Sequence, residues 1–401
     1  MNPNLSFENL PLELILKITE FLSNKEIMNL SFICKQFAVI PFMVKFPDKV
    51  EFSNIFELPY FDSFTHVSYS TADNRFPKRL RYLNWDNNFP LVKLPDNITH
   101  LVLGIGYNHP LASFPNSLKH ISLGFHYNYP LPKIPDGVTF LKLSYHFNEP
   151  LTEFPSSLTH LILGGCYDKQ LPLLPDTLIN LNLGYWYNHP IRQLPRYLER
   201  LELGEIYNHP LPPLPNTLKY FTTGRHYSHA LPTLPASLTH LFLCHDYDST
   251  IQLPESLIHL EFGCQENNQL PQLPNSLVHL NLSLSYNHPL PSLPNSLVYL
   301  NLGFDYNHAL PSLPDSLIHL NLSHYYDHPL PSLPDSLVYL NLGFLYNHPL
   351  PSLPNSLEFL SMSRNFSQPF PQLPASLNKL EICENHTIPK LPLGVEVKIF
   401  K

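Results

Sequence analysis

Leucine recurs along this chain at intervals of 20 residues, and apolar positions inside each interval alternate with polar ones. The segment Leu293 to Ser312 is repeated almost unchanged from Leu313 to Ser332 and once more after that. Each copy holds a Leu-x-Leu triplet, such as Leu300 to Leu302, whose period of two points both leucines to one face of a strand. The pattern predicts one short strand per repeat, and a fixed period of this length is typical of a solenoid.

The segment that leads from one strand to the next is rich in proline. Pro289, Pro291 and Pro294 fall within six residues, and proline lacks the N–H group that a helix interior needs. We therefore expect an extended, polyproline-like path on the convex side instead of a helix. Coils stacked in this way form a parallel sheet, so the predicted fold is mainly β.

Two other positions of the repeat have a structural interpretation. Asparagine or aspartate recurs in the turn after the strand, where short polar side chains can bond to backbone groups of their own and adjacent coils. The residue directly after Leu-x-Leu is usually glycine but also serine, as in Gly303, Ser323 and Gly343. This exchange indicates that a small side chain is needed and not a positive φ.

Leu297, Leu300, Leu302 and Asn307 form a Leu-x-x-Leu-x-Leu pattern with a later asparagine, and Tyr-Asn-His-Pro-Leu-Pro follows in several copies. This repeat resembles the leucine-rich-repeat superfamily and, more narrowly, the FNIP (IP22) repeat with its Asn-x-Pro-Leu motif. The resemblance covers about residues 80–392. It implies a leucine-rich-repeat-like solenoid of 20-residue coils with a parallel sheet and an extended, proline-rich convex side.

The first 40 residues differ in kind, because their apolar period is helical. Leu10, Leu14, Ile18 and Leu22 recur at every fourth position. A capping box over Ser23-Asn-Lys-Glu predicts the start of a second helix, on which apolar residues again share one face. Two short helices with exposed leucines bury little area alone, so we expect them to need a partner.

The motifs Leu-Pro-Leu-Glu-Leu at Leu10 and Leu-Ser-Phe-Ile-Cys-Lys-Gln-Phe ending at Phe37 resemble an F-box. An F-box implies binding to Skp1 and, through it, to a cullin-RING ubiquitin ligase. An amphipathic cap for the solenoid is the alternative interpretation of these helices. By position in the motif, the Skp1-facing residues would be Leu10, Pro11, Leu14, Ile15, Ile18, Leu22, Ile33, Cys34 and Phe37.

These patterns divide the chain into four predicted segments. They are an F-box at 1–42, degenerate capping repeats at 43–94, the regular repeats at 95–392 and an edge strand at 393–401. We see no flexible linker after the F-box and expect it to be joined rigidly to the first coils. F-box and FNIP repeats together resemble a family found in giant DNA viruses of amoebae and in social amoebae. The resemblance implies a cytoplasmic location, which is the host cytoplasm if the protein is viral.

Composition narrows the range of partners. The net charge of −8 argues against nucleic acid and anionic membranes, and only 14% of residues are charged. We expect a surface rich in Asn, His and Tyr, which suits protein recognition. Five scattered cysteines indicate a reducing compartment without a disulfide framework. The sequence shows no signal segment and no apolar run long enough to span a membrane.

Stacking turns each position next to the strand leucines into a column on the concave side. We expect this face to bind a protein substrate, although an inert ladder of asparagine amides is an equally good interpretation of the identical asparagines. The earlier, more variable repeats are the better candidates for specificity. The candidate substrate-binding residues are Lys142, Ile162, Glu202, Phe242, Asn281, Tyr299, Asn301, Asn321, Tyr339 and Asn341.

Histidine also forms columns, in the turn after the strand, as at His288, His308 and His328. We consider a shared metal ion there but expect no cofactor, because no carboxylate or cysteine is placed with these rings. We expect crowding of like charges to depress the pKa of stacked histidines and to reduce stability below about pH 6.5.

Two functions remain. The first is a non-catalytic substrate receptor of a Skp1–cullin–F-box ubiquitin ligase, and the second is a repeat scaffold or decoy that binds a host protein without ubiquitin transfer. We find no phosphate loop, nucleophile elbow or paired carboxylates that would indicate an enzyme. The identity of the substrate is not encoded in any of these patterns.

Overall fold

The computed structural model describes residues 11–33, 37–243, 251–263, 269–282, 284–384, 386 and 390–400. The chain divides into two compact units, residues 1–185 and 186–401. Both units are built from the same kind of coil, and each is described by itself.

Unit 1 begins with helices. Among its described residues the α-helices are α1 (Leu12–Thr19), α2 (Asn24–Ser31) and α3 (Ile40–Met43). A short 3-10 turn at Phe37–Val39 precedes α3, and two more follow it at Phe52–Asn54 and Phe61–Ser63. The capping box is present as predicted: the Ser23 side chain accepts from the Glu26 N–H, and the Glu26 carboxylate accepts from the Ser23 N–H. Helix α2 therefore starts where the sequence predicts.

Each coil contributes one short strand to a parallel sheet. Unit 1 has β1 (Val50–Glu51), β2 (His66–Tyr69), β3 (Tyr82–Trp85), β4 (His100–Leu103), β5 (His120–Ser122), β6 (Phe140–Lys142), β7 (His160–Ile162) and β8 (Asn180–Asn182). Unit 2 has β9 (Arg200–Glu202), β10 (Tyr220–Thr222), β11 (His240–Leu243), β12 (His259–Phe262), β13 (His279–Asn281), β14 (Tyr299–Asn301), β15 (His319–Asn321), β16 (Tyr339–Asn341), β17 (Phe359–Ser361), β18 (Lys379–Cys383) and β19 (Glu396–Phe400). Within each unit, consecutive strands pair in parallel and in the register of the repeat, so that Leu280 lies beside Leu300.

The predicted fold class is therefore confirmed. In regular strands such as β14 and β15 the central leucine is buried and its two neighbours are half-exposed, as the period of two requires. Within the described residues after the helical segment, the connections between strands are turns and extended backbone, consistent with their prolines. No helix in the described ranges combines the length and the apolar character needed to cross a membrane.

A column of tyrosines runs through the core of each unit. The ring of Tyr306 is fully buried, and its centroid lies 6.2 Å from those of Tyr286 and Tyr326, with nearly parallel planes. Burial raises the pKa of Tyr286 to about 12. We expected a surface rich in Asn, His and Tyr, but the tyrosines of this column lie in the interior. The turn that follows each strand folds the aromatic ring under the sheet, against the leucines.

The turn asparagines form the structural ladder that the sequence predicts. The N–H of Asn128 donates to Oδ1 of Asn108 at 3.1 Å, and the N–H of Asn148 donates to Oδ1 of Asn128 at 2.9 Å. In unit 2 the N–H of Asn307 donates to Oδ1 of Asn287 at 2.9 Å. Each side chain thus fixes the turn of the next coil, and these amides are committed to the fold.

Glycine after the strand has two roles, of which we predicted one. A Cβ on Gly124 would stand 1.8 Å from the carbonyl oxygen of Gly104, so a close approach of coils explains a small residue there. At Gly184, Gly303 and Gly343, however, φ is +72°, +74° and +71°. The expectation that positive φ is not needed is wrong at these three positions, because their turns enter the left-handed region.

Candidate functional site

The helices of unit 1 present an apolar surface to solvent. Leu14 and Ile18 lie on the exposed side of α1, and Phe21 just beyond the helix is 88% exposed. Phe32, at the end of α2, is 78% exposed, and Ile33 beside it is also exposed. We call these five residues the helical patch. Exposed apolar side chains gathered in one segment make it a candidate docking surface.

The predicted Skp1-facing residues are distributed between this patch and the interior. Pro11 caps α1 and is exposed, and Leu22 is half-buried. Ile15 and Phe37 are fully buried, so the structure corrects their placement: they hold the helices together and do not face a partner. Leu10 and Cys34 lie outside the described residues. Phe21 and Phe32 were missed, although both are large apolar residues beside the motif positions.

The helical segment is fastened to the first coils. The backbone N–H of Asn24 donates to the Asp48 carboxylate at 2.7 Å, and the Asp48 N–H donates to the Asn24 side chain at 3.1 Å. The Arg79 guanidinium donates to the carbonyl of Val44 at 2.6 Å. Phe46 stacks on Phe64 with a centroid distance of 4.7 Å. These contacts agree with the expected rigid joint.

The second candidate surface is the open face, by which we mean the side of the sheet turned away from the leucines. In unit 2 the position before the strand leucine forms a stack of rings. His319 lies between Tyr299 and Tyr339, at centroid distances of 5.8 and 4.6 Å, and Tyr339 stacks on Phe359 at 4.3 Å. Each of these rings therefore has at least one face directed at a neighbouring ring of the column.

The asparagine column beside these rings is joined by hydrogen bonds. Nδ2 of Asn301 donates to Oδ1 of Asn281 at 2.7 Å, and Nδ2 of Asn321 donates to Oδ1 of Asn301 at 2.8 Å. Asn341 instead accepts from the N–H of Gly343 at 3.1 Å. The amide-ladder interpretation is confirmed for Asn281 to Asn321. Binding by these side chains stays a prediction, because a partner would have to compete with the ladder.

Glu202 and Phe242 are the remaining predicted substrate-binding residues of unit 2. Glu202 is paired with Arg200, whose guanidinium lies over the ring of Tyr220 at 5.5 Å. Phe242 is half-buried, with its ring 5.1 Å from that of His259. The two side chains stand in the same row on β9 and β11, with Thr222 of β10 between them.

Unit 1 carries a groove on its open face. It has a volume of about 540 Å³ and crosses strands β3 to β7 near their carboxyl ends. Its floor is the backbone at Gly104, Gly124 and Gly164. Lys142 stands in it, whereas Ile162, also predicted, lies half-buried in the same strand row and is not part of its lining. The cavity arises where small residues follow several neighbouring strands.

Several histidines in the strands, at the position before the central leucine, have lowered pKa values. Burial lowers the pKa of His100, His240, His279 and His319 below its ordinary 6.5, and a nearby His259 contributes at His240 and His279. Burial also lowers the pKa of His120, and the neighbouring His100 contributes to this shift. A cationic ring is disfavoured here because it would lose water and repel its neighbours.

Acidification is therefore expected to destabilise the fold. Below about pH 6.5 the unfolded chain takes up protons that the folded chain accepts only at lower pH, so stability falls as the pH drops through the folded pKa values. We expect a lower melting temperature at about pH 5 than at about pH 7.5. Replacing His240, His279 and His319 with phenylalanine, which already occupies this column at Phe359, should reduce the drop. If the melting temperature falls equally with pH in the unchanged protein and in the variant, these histidines are not the cause of the acid sensitivity.

The turn histidines have a different environment. Nε2 of His109 bonds to the carbonyl oxygen of Asn88 at 2.9 Å, and His209, His308 and His328 repeat this contact at 2.9–3.0 Å with the coil before them. These rings brace adjacent coils. The histidines whose pKa burial lowers, such as His240 and His319, lie in the strands. Among the described residues no group of three or more His, Cys, Asp or Glu is arranged to hold a metal ion.

Known proteins agree with this architecture. Residues 7–46 match the F-box domain, and residues 85–126, 127–166, 306–344 and 346–384 match the FNIP repeat. The solved structure of CroV588, described as a novel circular LRR protein structure, is 29% identical with a TM-score of 0.66. That match covers 84% of this chain and 63% of CroV588, so this chain spans less than two thirds of that protein's length.

YopM from Yersinia enterocolitica WA-314 is 24% identical over 80% of this chain and 72% of its own, with a TM-score of 0.54, and shares the fold. No curated protein matches the chain. The fold and these matches define a leucine-rich-repeat solenoid protein. More narrowly, separate segments of it match the F-box domain and the FNIP repeat.

Proposed function

We propose that this protein is the substrate receptor of a Skp1–cullin–F-box ubiquitin ligase. The helical patch docks on Skp1, and the open face of the repeats binds the target. The observation that carries the proposal is the patch itself: five exposed apolar side chains lie on the segment that matches the F-box. A segment that served only as a cap for the solenoid would turn these residues inward.

The contacts between the helices and the first coils support the same proposal. Asn24–Asp48 and Arg79–Val44 hold the helices against the first coils, so a partner on the helices has a fixed position relative to the coils of unit 1. Such a receptor positions a target for ubiquitin transfer without catalysing it. The proposed location is the cytoplasm, and the host cytoplasm if the chain is viral.

A Skp1 pull-down tests the proposal. Replacing Leu14 and Ile18 with aspartate should weaken Skp1 binding by at least about 100-fold, because charges then replace apolar anchors at the centre of the interface. Both residues are exposed, so the fold should survive. The double change Leu10→Ala and Pro11→Ala tests the preceding part of the motif.

Leu393→Asp is the matched control, because Leu393 is fully exposed but lies far along the chain from the F-box. It should bind Skp1 as the unchanged protein does. If the unchanged protein fails to bind Skp1, the receptor proposal is wrong. The scaffold or decoy function, in which the repeats bind a host protein without ubiquitin transfer, would then take its place.

A further inference from the structure

The groove of unit 1 combines an apolar wall with unpaired positive charge. Ile105 is 70% exposed at its edge, and Phe125 stacks on Tyr145 at 4.8 Å with both rings partly exposed. Lys49 and Lys142 line the same cavity, and neither has an ion-pair partner among the described residues. The exposed apolar side chains favour an apolar ligand group over water, and the two ammonium groups are free to pair with an anionic group of the same ligand.

The charge of the groove departs from that of the whole chain. Two lysines and one acidic residue, Asp86, line it, whereas the protein has a net charge of −8. An acidic segment would pair with the lysines, and the apolar wall would accept a neighbouring apolar side chain. A polyanion such as nucleic acid is disfavoured by the net negative charge of the chain.

The dimensions of the groove suit a short extended peptide. It crosses from β3 to β7, which is four inter-strand steps or roughly 19 Å at ~4.8 Å per step. An extended chain of about six residues has this length at ~3.3 Å per residue. Side chains of such a segment alternate between its two sides, so one set can meet the wall while the backbone follows the glycine floor.

Resting on the proposed substrate-receptor role, we propose that this groove binds an extended polypeptide segment of about six residues that carries an apolar side chain and a nearby carboxylate. The apolar side chain packs against Phe125 and Tyr145, and the carboxylate pairs with Lys142. The contrast with unit 2 supports this placement, because the asparagines at Asn281 to Asn321 satisfy one another within their ladder. In unit 1 the corresponding row holds Ser122 and Lys142 and leaves room above them.

A random hexapeptide display library, selected on the full chain without Skp1, tests the inference. We expect enrichment of peptides with Asp or Glu close to a large apolar residue. Synthetic versions with Asn or Gln in place of the acids should bind at least tenfold more weakly. Enrichment of peptides without acids, or no enrichment at all, would overturn the proposal.

Two variants locate the binding. Lys142→Glu should weaken the selected acidic peptides at least tenfold, and Ser122→Trp should abolish binding by filling the groove. Lys169→Glu is the matched control, because it makes the same change of charge at an exposed lysine of unit 1 that does not line the cavity. Peptides that bind equally well to Lys142→Glu and to the unchanged protein would place the site elsewhere. Because Skp1 is absent from this assay, its result is independent of the pull-down.

Discussion

Replacing Tyr306 with alanine is expected to lower the free energy of unfolding by about 3–5 kcal/mol, the range for removing a buried aromatic ring. Tyr306 is fully buried between Tyr286 and Tyr326, and both stacking contacts disappear with the ring. The neighbouring coils cannot close the void easily, because the ladder bonds at Asn307 and Asp327 fix their spacing. Urea unfolding followed by circular dichroism measures the loss.

The variant Tyr306→Phe distinguishes the contribution of the ring to stability from that of the hydroxyl group. The hydroxyl donates a long bond of 3.5 Å to the carbonyl of Ala309 and bonds to the backbone of Leu290, so its removal should cost about 1 kcal/mol. Phe147 and Phe366 occupy the same position of the repeat, which shows that the column accepts a plain ring. Similar losses for the alanine and phenylalanine variants would mean that the ring stack contributes little.

Gly343→Ala is expected to cost about 2–4 kcal/mol, the second largest effect on stability. Its φ of +71° penalises any side chain, and an added Cβ would lie 2.0 Å from the carbonyl oxygen of Ser323. That oxygen belongs to the backbone of the preceding coil, so relief of the contact requires the two coils to shift apart. Thermal unfolding of the purified variant measures the effect.

Gly394→Ala provides the control for backbone strain alone. Its φ is +86°, but no atom lies within 4 Å of the added Cβ. The expected cost is the left-handed penalty of about 1–2 kcal/mol. The difference between the two variants therefore reports the clash with Ser323, and equal costs would show that the preceding coil yields without loss.

The solenoid could be predicted because its determinants are local and repeated. The period of two at Leu300 and Leu302 orients the strand, and the prolines exclude a helix from the connection. The parallel sheet follows from the repetition, because many copies of one coil must stack in the same register. The ladder of turn asparagines, as at Asn307, was predicted from the same reasoning, because a short polar side chain in a turn has backbone groups within reach.

The interior position of the tyrosines was not predictable from periodicity. Tyr306 lies beyond the alternating strand, in a turn where neither the helical nor the strand period applies. Its burial depends on the path of the turn, which brings the ring beneath the leucines. The positive φ of Gly343 escaped prediction for a related reason: serine at neighbouring coils indicated size alone, although the coils differ in their turn conformation.

The candidate sites were predicted in part. The F-box motif located the helical segment, but it did not distinguish the exposed Leu14 from the buried Ile15. The groove could be anticipated only through Lys142, because its wall combines Ile105, Phe125 and Tyr145 from turns of successive coils. Such a cavity depends on the sizes of side chains in several repeats at once. A consensus sequence averages these differences between repeats and therefore does not predict the cavity.

The asparagine ladder has a direction. Every rung, as at Asn307 and Asp327, passes from an acceptor in one coil to a donor in the coil that follows. A duplicated coil inserted in frame would meet a matching donor and acceptor at both of its borders. The almost identical copies from Leu293 onward are what growth by tandem duplication of whole coils would leave behind, so a gene of this kind can lengthen its product without redesigning any junction.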